Sequence, residues 1–122
     1  MSVAFRKWDV VLLTYPFSDL TSVKVRPAVV ISPDSENGRL EDGVFLLITS
    51  NVDRCSPYDL PIEAVHPEFP SAGLLKSSAV RVNKVWTLSG KLVSRKLGQL
   101  GPVLRKDLAR LLASYFEVDK NE

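Results

Sequence analysis

The chain has 122 residues, of which 45% are hydrophobic and 25% charged, and its formal net charge is +2. A chain of this length buries roughly two-thirds of its unfolded surface, so it can fold as one domain over residues 1–122 without a disulfide or a metal. The single cysteine, Cys55, excludes an intrachain disulfide, and no apolar run approaches the roughly 20 residues of a membrane helix. The N-terminal segment also lacks the apolar stretch of a signal peptide, so we expect a cytoplasmic protein.

The charges are unevenly distributed along the chain. Residues 1–32 hold four basic and two acidic side chains, residues 33–70 two basic and eight acidic, and residues 71–122 ten basic and four acidic. A fold that brings the two basic segments together would create a positive surface for an anionic partner, with the acidic segment elsewhere. The same pattern is also typical of a solvated surface without a partner.

The first predicted elements are two strands separated by a loop. Residues Trp8–Tyr15 are β-branched and apolar and stop at Pro16, which predicts a strand that ends in a turn. The polar stretch Pro16–Lys24 predicts a loop. Residues Val25–Ser32 predict a second strand, with Pro27 near its start, where a missing N–H is tolerated.

The middle of the chain contains one strong strand signal and one irregular stretch. Residues Gly43–Asn51 follow a loop that begins at Pro33 and are nearly all apolar, which predicts a central strand. Residues Asp53–Ser71 are rich in proline and leave room only for a short strand within Asp59–Ala64. Further strands are predicted over Ser78–Val82, Lys84–Leu88 and Lys91–Leu97.

The last element has helical rather than strand periodicity. Pro102 suits a first helical turn after Gly101, and one face then carries Leu104, Leu108, Leu111, Leu112 and Tyr115. This spacing predicts a helix of roughly four turns. Several short strands followed by one amphipathic helix predict a mainly β fold, a small barrel or strongly curved sheet packed by a C-terminal helix.

The common catalytic and metal-binding signatures are absent. The sequence has no Cys-x-x-Cys, no Gly-rich phosphate loop before a helix, no paired histidines and no Ser/His/Asp elbow. With one histidine and one cysteine, a zinc site would need mostly carboxylates, which is uncommon. We therefore expect neither a metal nor another cofactor. His66, the only imidazole, lies in a Pro-rich acidic stretch that favours a surface or packing role over a catalytic one.

A few polar residues stand where strands begin or end. Arg26 opens the second predicted strand, and Thr49 and Ser50 close the third. Arg81 lies between two apolar strand residues, so its side chain points to the opposite face. Polar side chains at strand ends can converge on one pocket. Each also has an ordinary interpretation: an exposed arginine for Arg26, a simple strand residue for Thr49, and a cross-strand ion pair for Arg81.

The segment Val25-Arg26-Pro27-Ala28-Val29-Val30-Ile31-Ser32 resembles the Arg-Pro-Ala-Val-Val signature of the MazF/PemK toxin family. Further segments resemble the family's other motifs, in the family's order: Trp8–Val11 with Pro16–Asp19, Leu47–Ser50, Ala72–Leu74 through Val85–Leu88, and Leu97–Leu100. The resemblance extends over nearly the whole chain.

The resemblance implies an SH3-like barrel of the MazF/CcdB toxin fold with a C-terminal helix, and a homodimer held inactive by a cognate antitoxin. It also implies metal-independent cleavage of single-stranded mRNA at short sequences. Arg26 matches the family's catalytic arginine and Thr49 its catalytic threonine or serine. Arginine offers a fixed fork of donors to phosphate oxygens, which suits the charge of a phosphoryl transition state. The residues expected to contact RNA are Phe17, Lys24, Ser50, Arg81 and Asn83.

One position departs from the family pattern. Some relatives carry an aspartate two residues after the arginine of the third motif, where this chain has Asn83, which exchanges no proton at neutral pH. Arg26 is itself a poor general base, so the acceptor of the 2′-proton is left open. Two other functions therefore stay open: a non-enzymatic gyrase poison, and a family member that binds RNA or antitoxin without turnover.

Overall fold

The computed structural model describes residues 3–16, 23–54 and 56–118. Six strands lie in chain order as β1 (Asp9–Pro16), β2 (Val23–Val30), β3 (Asp42–Thr49), β4 (Leu60–Ile62), β5 (Ser78–Ser89) and β6 (Val93–Gln99). The helices are α1 (Asp34–Asn37), α2 (Phe69–Ala72) and α3 (Pro102–Tyr115), and short 3-10 turns cover Val52–Arg54 and Gly90–Leu92. None of these helices is long and apolar enough to cross a membrane.

The strands form one sheet in the order β4-β5-β3-β2-β1-β6, and every neighbouring pair is antiparallel. The sheet curls into a half-barrel, and the C-terminal helix α3 completes the fold. The predicted mainly β class is therefore confirmed. Strand β3 lies between β5 and β2, as its nearly continuous apolar sequence predicts.

Each face of the sheet carries its own apolar cluster, because successive strand residues point to opposite faces. On one face, Val29, Leu46 and Ile48 pack with Leu104 and Leu108 of α3. On the other face, a smaller cluster, here called the second cluster, contains Val11, Leu13, Ala28, Val30, Phe45 and Val93. Phe5 and Trp86 pack against this second cluster from its border.

The helix α3 begins and faces inward as its sequence predicts. Gly101 is the N-cap residue and Pro102 the first helical residue. Leu104 and Leu108 are buried, whereas Tyr115 at the other end of the apolar stripe is 38% exposed and contacts Tyr58 edge-on, with ring centroids 5.3 Å apart. The apolar stripe therefore buries its first half most deeply.

Several boundaries differ from the sequence-based expectations. Strand β2 begins at Val23 rather than Val25, because its ladder with β1 extends to the Pro16–Val23 pair. Phe17 and the rest of the connecting stretch lie outside the described residues. Within the irregular stretch, β4 falls inside the predicted Asp59–Ala64, while the short helices α1 and α2 have no counterpart in the predictions.

The two strands predicted on either side of Asn83 are one strand, β5. The predicted strand segments are confirmed, and the polar residues between them mark an irregularity within one ladder. Leu46 pairs with Val85, whereas Ile48 pairs with Val80, so β5 carries extra residues opposite Leu47. Such a bulge redirects side chains without ending the strand.

Candidate active site

A groove opens at the Thr49 end of β3, on the same face as the second cluster. It has a volume of about 350 Å³ and is lined by Arg26, Leu47, Ile48, Thr49, Ser50, Asn51, Arg81, Lys84 and Trp86. Four of the residues singled out from the sequence, Arg26, Thr49, Ser50 and Arg81, therefore share one cavity. These polar residues converge as expected, but Arg26 is the fourth residue of β2 and does not open the strand as predicted.

The pairing of β2 with β3 brings Arg26 and Thr49 together. Ala28 lies opposite Leu47 in this antiparallel ladder. The same register continued by two residues places Arg26 opposite Thr49, and both side chains then point to the face of the second cluster. Strand pairing thus brings two residues that are 23 positions apart in sequence close together in space.

The bulge in β5 brings two more cations to the groove. Because β5 has extra residues between Val80 and Val85, the side chains of this stretch do not keep the regular alternation across from Leu47. Arg81 and Lys84, at the two ends of the extra stretch, both line the groove. A regular strand would have sent these two side chains to opposite faces.

Among the described residues, the charged ones that line the groove are all cations: Arg26, Arg81 and Lys84. They come from both basic segments of the chain, so the fold does bring these two segments together. The acidic segment also approaches the groove. Asp59 reaches Arg81 from behind, with Asp59 Oδ2 3.1 Å from Arg81 Nε. Arg81 therefore has both of the roles considered for it: it forms an ion pair, and it lines the groove.

The hydroxyl of Thr49 is fixed by the turn that follows β3. Its Oγ1 accepts a hydrogen bond from the backbone N–H of Asn51 at 3.0 Å. A hydroxyl that accepts one bond keeps its own proton to donate, so Thr49 can donate to a phosphate or ribose oxygen in the groove. Ser50 beside it is exposed.

Comparison with known proteins assigns the chain to a family. Residues 6–116 match the sequence profile of the PemK-like, MazF-like toxins of type II toxin-antitoxin systems. The chain belongs to this family. A search of curated protein sequences found no match.

The fold is similar to those of several solved toxin structures. A mycobacterial endoribonuclease in complex with its cognate antitoxin is 18% identical, with a TM-score of 0.73 over 95% of this chain and 98% of that chain. The MazE-MazF structure from Deinococcus radiodurans is 16% identical, with a TM-score of 0.78 over 96% and 99%. Mycobacterium tuberculosis toxin MazF-mt6 is 21% identical, with a TM-score of 0.69 over 89% and 98%. These likenesses confirm the MazF-like toxin fold expected for the chain.

Three residues expected to contact RNA are not among those lining the groove of this MazF/PemK-like toxin. Asn83 is exposed on the β5 bulge but does not line the cavity. Lys24 is half-buried on β2, two residues before Arg26 and on the same face of the strand. Phe17 lies outside the described residues. Contact of these residues with RNA stays a prediction.

His66 has a structural role at a distance from the groove. Its Nδ1 accepts a hydrogen bond from the backbone N–H of Glu68 at 3.0 Å, and its side chain lines a separate depression between β4 and α3. The expected packing role therefore agrees with its place in the toxin. Among residues 3–16, 23–54 and 56–118, no three His, Cys, Asp or Glu side chains cluster in a way that could hold a metal ion.

Sequence reasoning missed Asn51, Lys84 and Asp59. Asn51 directly follows the Thr49-Ser50 pair, so its position after the strand end was a usable signal. Lys84 had none, because only the bulge in β5 turns it toward the groove. Asp59 reaches the site through tertiary contact alone.

Proposed function

We propose that this toxin is an endoribonuclease that cleaves single-stranded mRNA in the groove that contains Arg26 and Thr49. The observation that carries the proposal is the meeting of these two side chains in a cavity that, in the part of the chain the structure describes, has only cations among its charged lining residues. A cationic groove attracts the RNA backbone, and an unpaired strand alone gives the freedom that in-line attack requires.

The proposed reaction is an internal transesterification. The ribose 2′-oxygen attacks the adjacent phosphorus, the bond from phosphorus to the 5′-oxygen breaks, and the products carry a 2′,3′-cyclic phosphate and a free 5′-hydroxyl. Negative charge grows on the non-bridging oxygens in the transition state. The guanidinium of Arg26 stabilises this charge with paired N–H groups, and Thr49 positions the phosphate or the 2′-hydroxyl.

Proton transfer in this scheme passes through water. Arg26 stays protonated, and no carboxylate or imidazole occurs among the described residues that line the groove. Water therefore accepts the 2′-proton, and water supplies the proton that the departing 5′-oxygen takes up. The scheme uses no metal, and it is consistent with Asn83 standing where some relatives have an aspartate.

The test is cleavage of a long single-stranded transcript by purified protein in EDTA. We expect discrete fragments with cyclic-phosphate ends, and an Arg26→Ala variant slower by a factor of about 10²–10³, because one transition-state donor is lost. Arg26→Lys keeps the charge without the fork and should fall between the two. The matched control is Arg39→Ala, which removes an exposed arginine paired with Glu36 away from the groove.

Intact RNA with the wild-type protein, or equal rates for wild type and Arg26→Ala, would contradict the proposal. Inhibition of gyrase supercoiling by stoichiometric protein with RNA left whole would instead support the gyrase-poison function. Retained RNA binding without any fragments would indicate a family member that has lost turnover.

We further propose that the toxin acts in the cytoplasm as a single-domain homodimer and is neutralised by a cognate antitoxin. The mycobacterial endoribonuclease of similar fold is complexed with its cognate antitoxin. A partner for this groove should carry an acidic, partly disordered segment, because its charge complements Arg26, Arg81 and Lys84. Co-expression with the neighbouring reading frame should relieve growth arrest, and light scattering should give twice the chain mass.

A further inference from the structure

Asp59 is a buried carboxylate with fixed geometry behind the groove. It precedes β4 and is only 5% exposed. Its Oδ1 accepts a hydrogen bond from the backbone N–H of Val82 at 3.1 Å, and its Oδ2 accepts one from the N–H of Ser56 at 3.0 Å. Two backbone donors from different parts of the chain therefore hold the carboxylate in one orientation.

Arg81 meets this carboxylate with only one edge of its guanidinium. Its Nε lies 3.1 Å from Asp59 Oδ2, and the side chain is 23% exposed. The Nε–H is buried but is not aligned for a hydrogen bond, so charge rather than a directed bond holds the contact. Within the described part of the chain, the terminal nitrogens of Arg81 make no ion pair or hydrogen bond. Arg81 is also one of the residues that line the groove.

We propose that Asp59 is a positioning residue for RNA binding, which anchors Arg81 by its Nε edge so that the terminal N–H groups face an RNA phosphate. The inference rests on the proposed function, because it assigns the phosphate to a strand seated over Arg26 and Thr49. A free arginine side chain loses much rotational freedom when it binds a phosphate, and an anchored one loses less. Arg81 then binds the phosphate beside the one that is cut.

Asp59 could instead weaken RNA binding by neutralising Arg81, and this role predicts the opposite change in RNA affinity. A carboxylate next to Arg81 also neutralises part of its charge, and this effect alone would weaken the attraction for RNA. Replacement of Asp59 by asparagine, which has nearly the same shape, removes the charge and leaves one oxygen instead of two to accept from the N–H groups of Val82 and Ser56. Weaker RNA binding in the variant therefore supports positioning, and tighter binding supports neutralisation.

The first measurement is the binding of a fluorescein-labelled single-stranded RNA of mixed sequence, fully 2′-O-methylated so that it cannot be cut. Fluorescence anisotropy is recorded for wild type, Asp59→Asn, Arg81→Ala and the double variant. We expect Asp59→Asn to raise Kd about tenfold, because a poorly positioned Arg81 loses about one charge-assisted hydrogen bond to the RNA phosphate. Because Asp59 acts through Arg81, the double variant should bind no more weakly than Arg81→Ala alone.

The second measurement is steady-state cleavage of an unmodified RNA that contains the preferred site. We expect KM to rise about tenfold in Asp59→Asn while kcat stays within about twofold, since Arg81 contacts a phosphate that does not react. The matched control is Asp42→Asn, an exposed aspartate at the other end of β3, which should leave both values unchanged.

A purely structural role for Asp59 gives a different pattern. If Asp59 only supports the fold, Asp59→Asn lowers binding equally in the wild-type and Arg81→Ala backgrounds, and this additivity overturns the inference. Unchanged or tighter binding by Asp59→Asn also overturns it. Thermal melting of each variant shows whether it is folded. If the wild type binds RNA without cutting it, the proposed endoribonuclease function fails, while the anisotropy series still decides the role of Asp59.

Discussion

Arg26 and Thr49 show how single residues acquire a role through strand register. Neither side chain is unusual in isolation: Arg26 is the fourth residue of β2, and Thr49 is the last residue of β3. The β2–β3 register carries both toward the same groove, where the hydroxyl of Thr49 is held by the N–H of Asn51. A preorganised donor of this kind costs little reorganisation when charge develops on a phosphate.

Substitutions of Thr49 separate its hydroxyl from its shape. Thr49→Val removes the hydroxyl and retains the branched side chain, so we expect kcat/KM to fall by about 10²-fold. Thr49→Ser retains the hydroxyl and should stay within about tenfold of wild type. Initial rates on a short fluorogenic RNA that carries the mapped site provide the measurement.

The control for Thr49 is Thr87→Val, an exposed threonine on β5 that pairs with Val44 away from the groove. This variant should be as active as wild type. Equal activity of Thr49→Val and Thr49→Ser would show that the hydroxyl takes no part in cleavage.

The sequence alone predicts some of the residues at the groove but not the ones that reach it through long-range contacts. Arg26, Thr49 and Ser50 lie at predicted strand ends, which periodicity and a family resemblance both single out. Lys84 enters the groove only through a bulge that depends on the pairing of β5 with β3. Asp59 contacts Arg81 across 22 positions of sequence, and no local pattern encodes such a tertiary contact. Long-range pairing therefore limits what sequence patterns alone predict here.

At the scale of elements, the N-terminus of α3 is capped by the carboxylate of a residue that is distant in sequence, Glu68. Glu68 Oε2 accepts from the N–H of Val103 at 3.0 Å, and Oε1 accepts from the N–H of Leu104 at 2.9 Å. Gly101, the N-cap residue, has no side chain to do this, and a Cβ there would overlap the Glu68 carboxylate. Pro102 marks the start of the helix in the sequence, but the cap itself comes from Glu68, which no local sequence signal identifies.

The cap makes stability depend on pH. Burial raises the pKa of the Glu68 carboxyl, but the N–H groups of Val103 and Leu104 outweigh it, and the pKa lies below its usual value of 4.5. A lowered folded-state pKa gives stabilisation that is fully present above pH 4.5 and is lost as the pH falls through the folded-state pKa. We expect Glu68→Gln to lower the melting temperature by about 4 °C at pH 7, with the difference vanishing in acid.

Thermal melting of both proteins from pH 7 to pH 2 tests this dependence. The control is Glu63→Gln, an exposed glutamate of the same acidic segment, which should not change the melting temperature at any pH. A Glu68→Gln deficit of the same size across the whole pH range would contradict the assigned role of the carboxylate charge.

The junction between α2 and β6 requires a glycine. Gly73 follows α2 with φ of 73°, and a Cβ at this position would overlap the backbone oxygen of Leu97. The left-handed conformation alone costs roughly 1–2 kcal/mol for a residue with a side chain, so Gly73→Ala should reduce the free energy of unfolding by at least ~2 kcal/mol. Gly38→Ala is the control, because no atom lies within 4 Å of its added Cβ. Urea unfolding that shows equal stability for both variants would contradict this account.

At the scale of the whole molecule, the fold gives the basic and acidic segments of the chain different positions around the groove. The basic segments supply the cations Arg26, Arg81 and Lys84 to one groove. The acidic segment supplies two carboxylates outside the groove lining: Asp59 forms an ion pair with Arg81, and Glu68 caps the start of α3. A net charge of only +2 therefore conceals a locally positive cavity.

This arrangement predicts how strongly salt weakens RNA binding. Each phosphate contact on a single strand contributes a slope of about −0.7 to the plot of log K against log salt concentration, so three groove cations give about −2. Lys84→Ala should reduce the magnitude by about 0.7, because Lys84 lines the groove and a single contact is lost. Lys91→Ala, which removes an exposed lysine outside the groove, should leave the slope unchanged. Anisotropy titrations with the 2′-O-methyl RNA measure both slopes, and equal slopes for the two variants would place the RNA elsewhere on the surface.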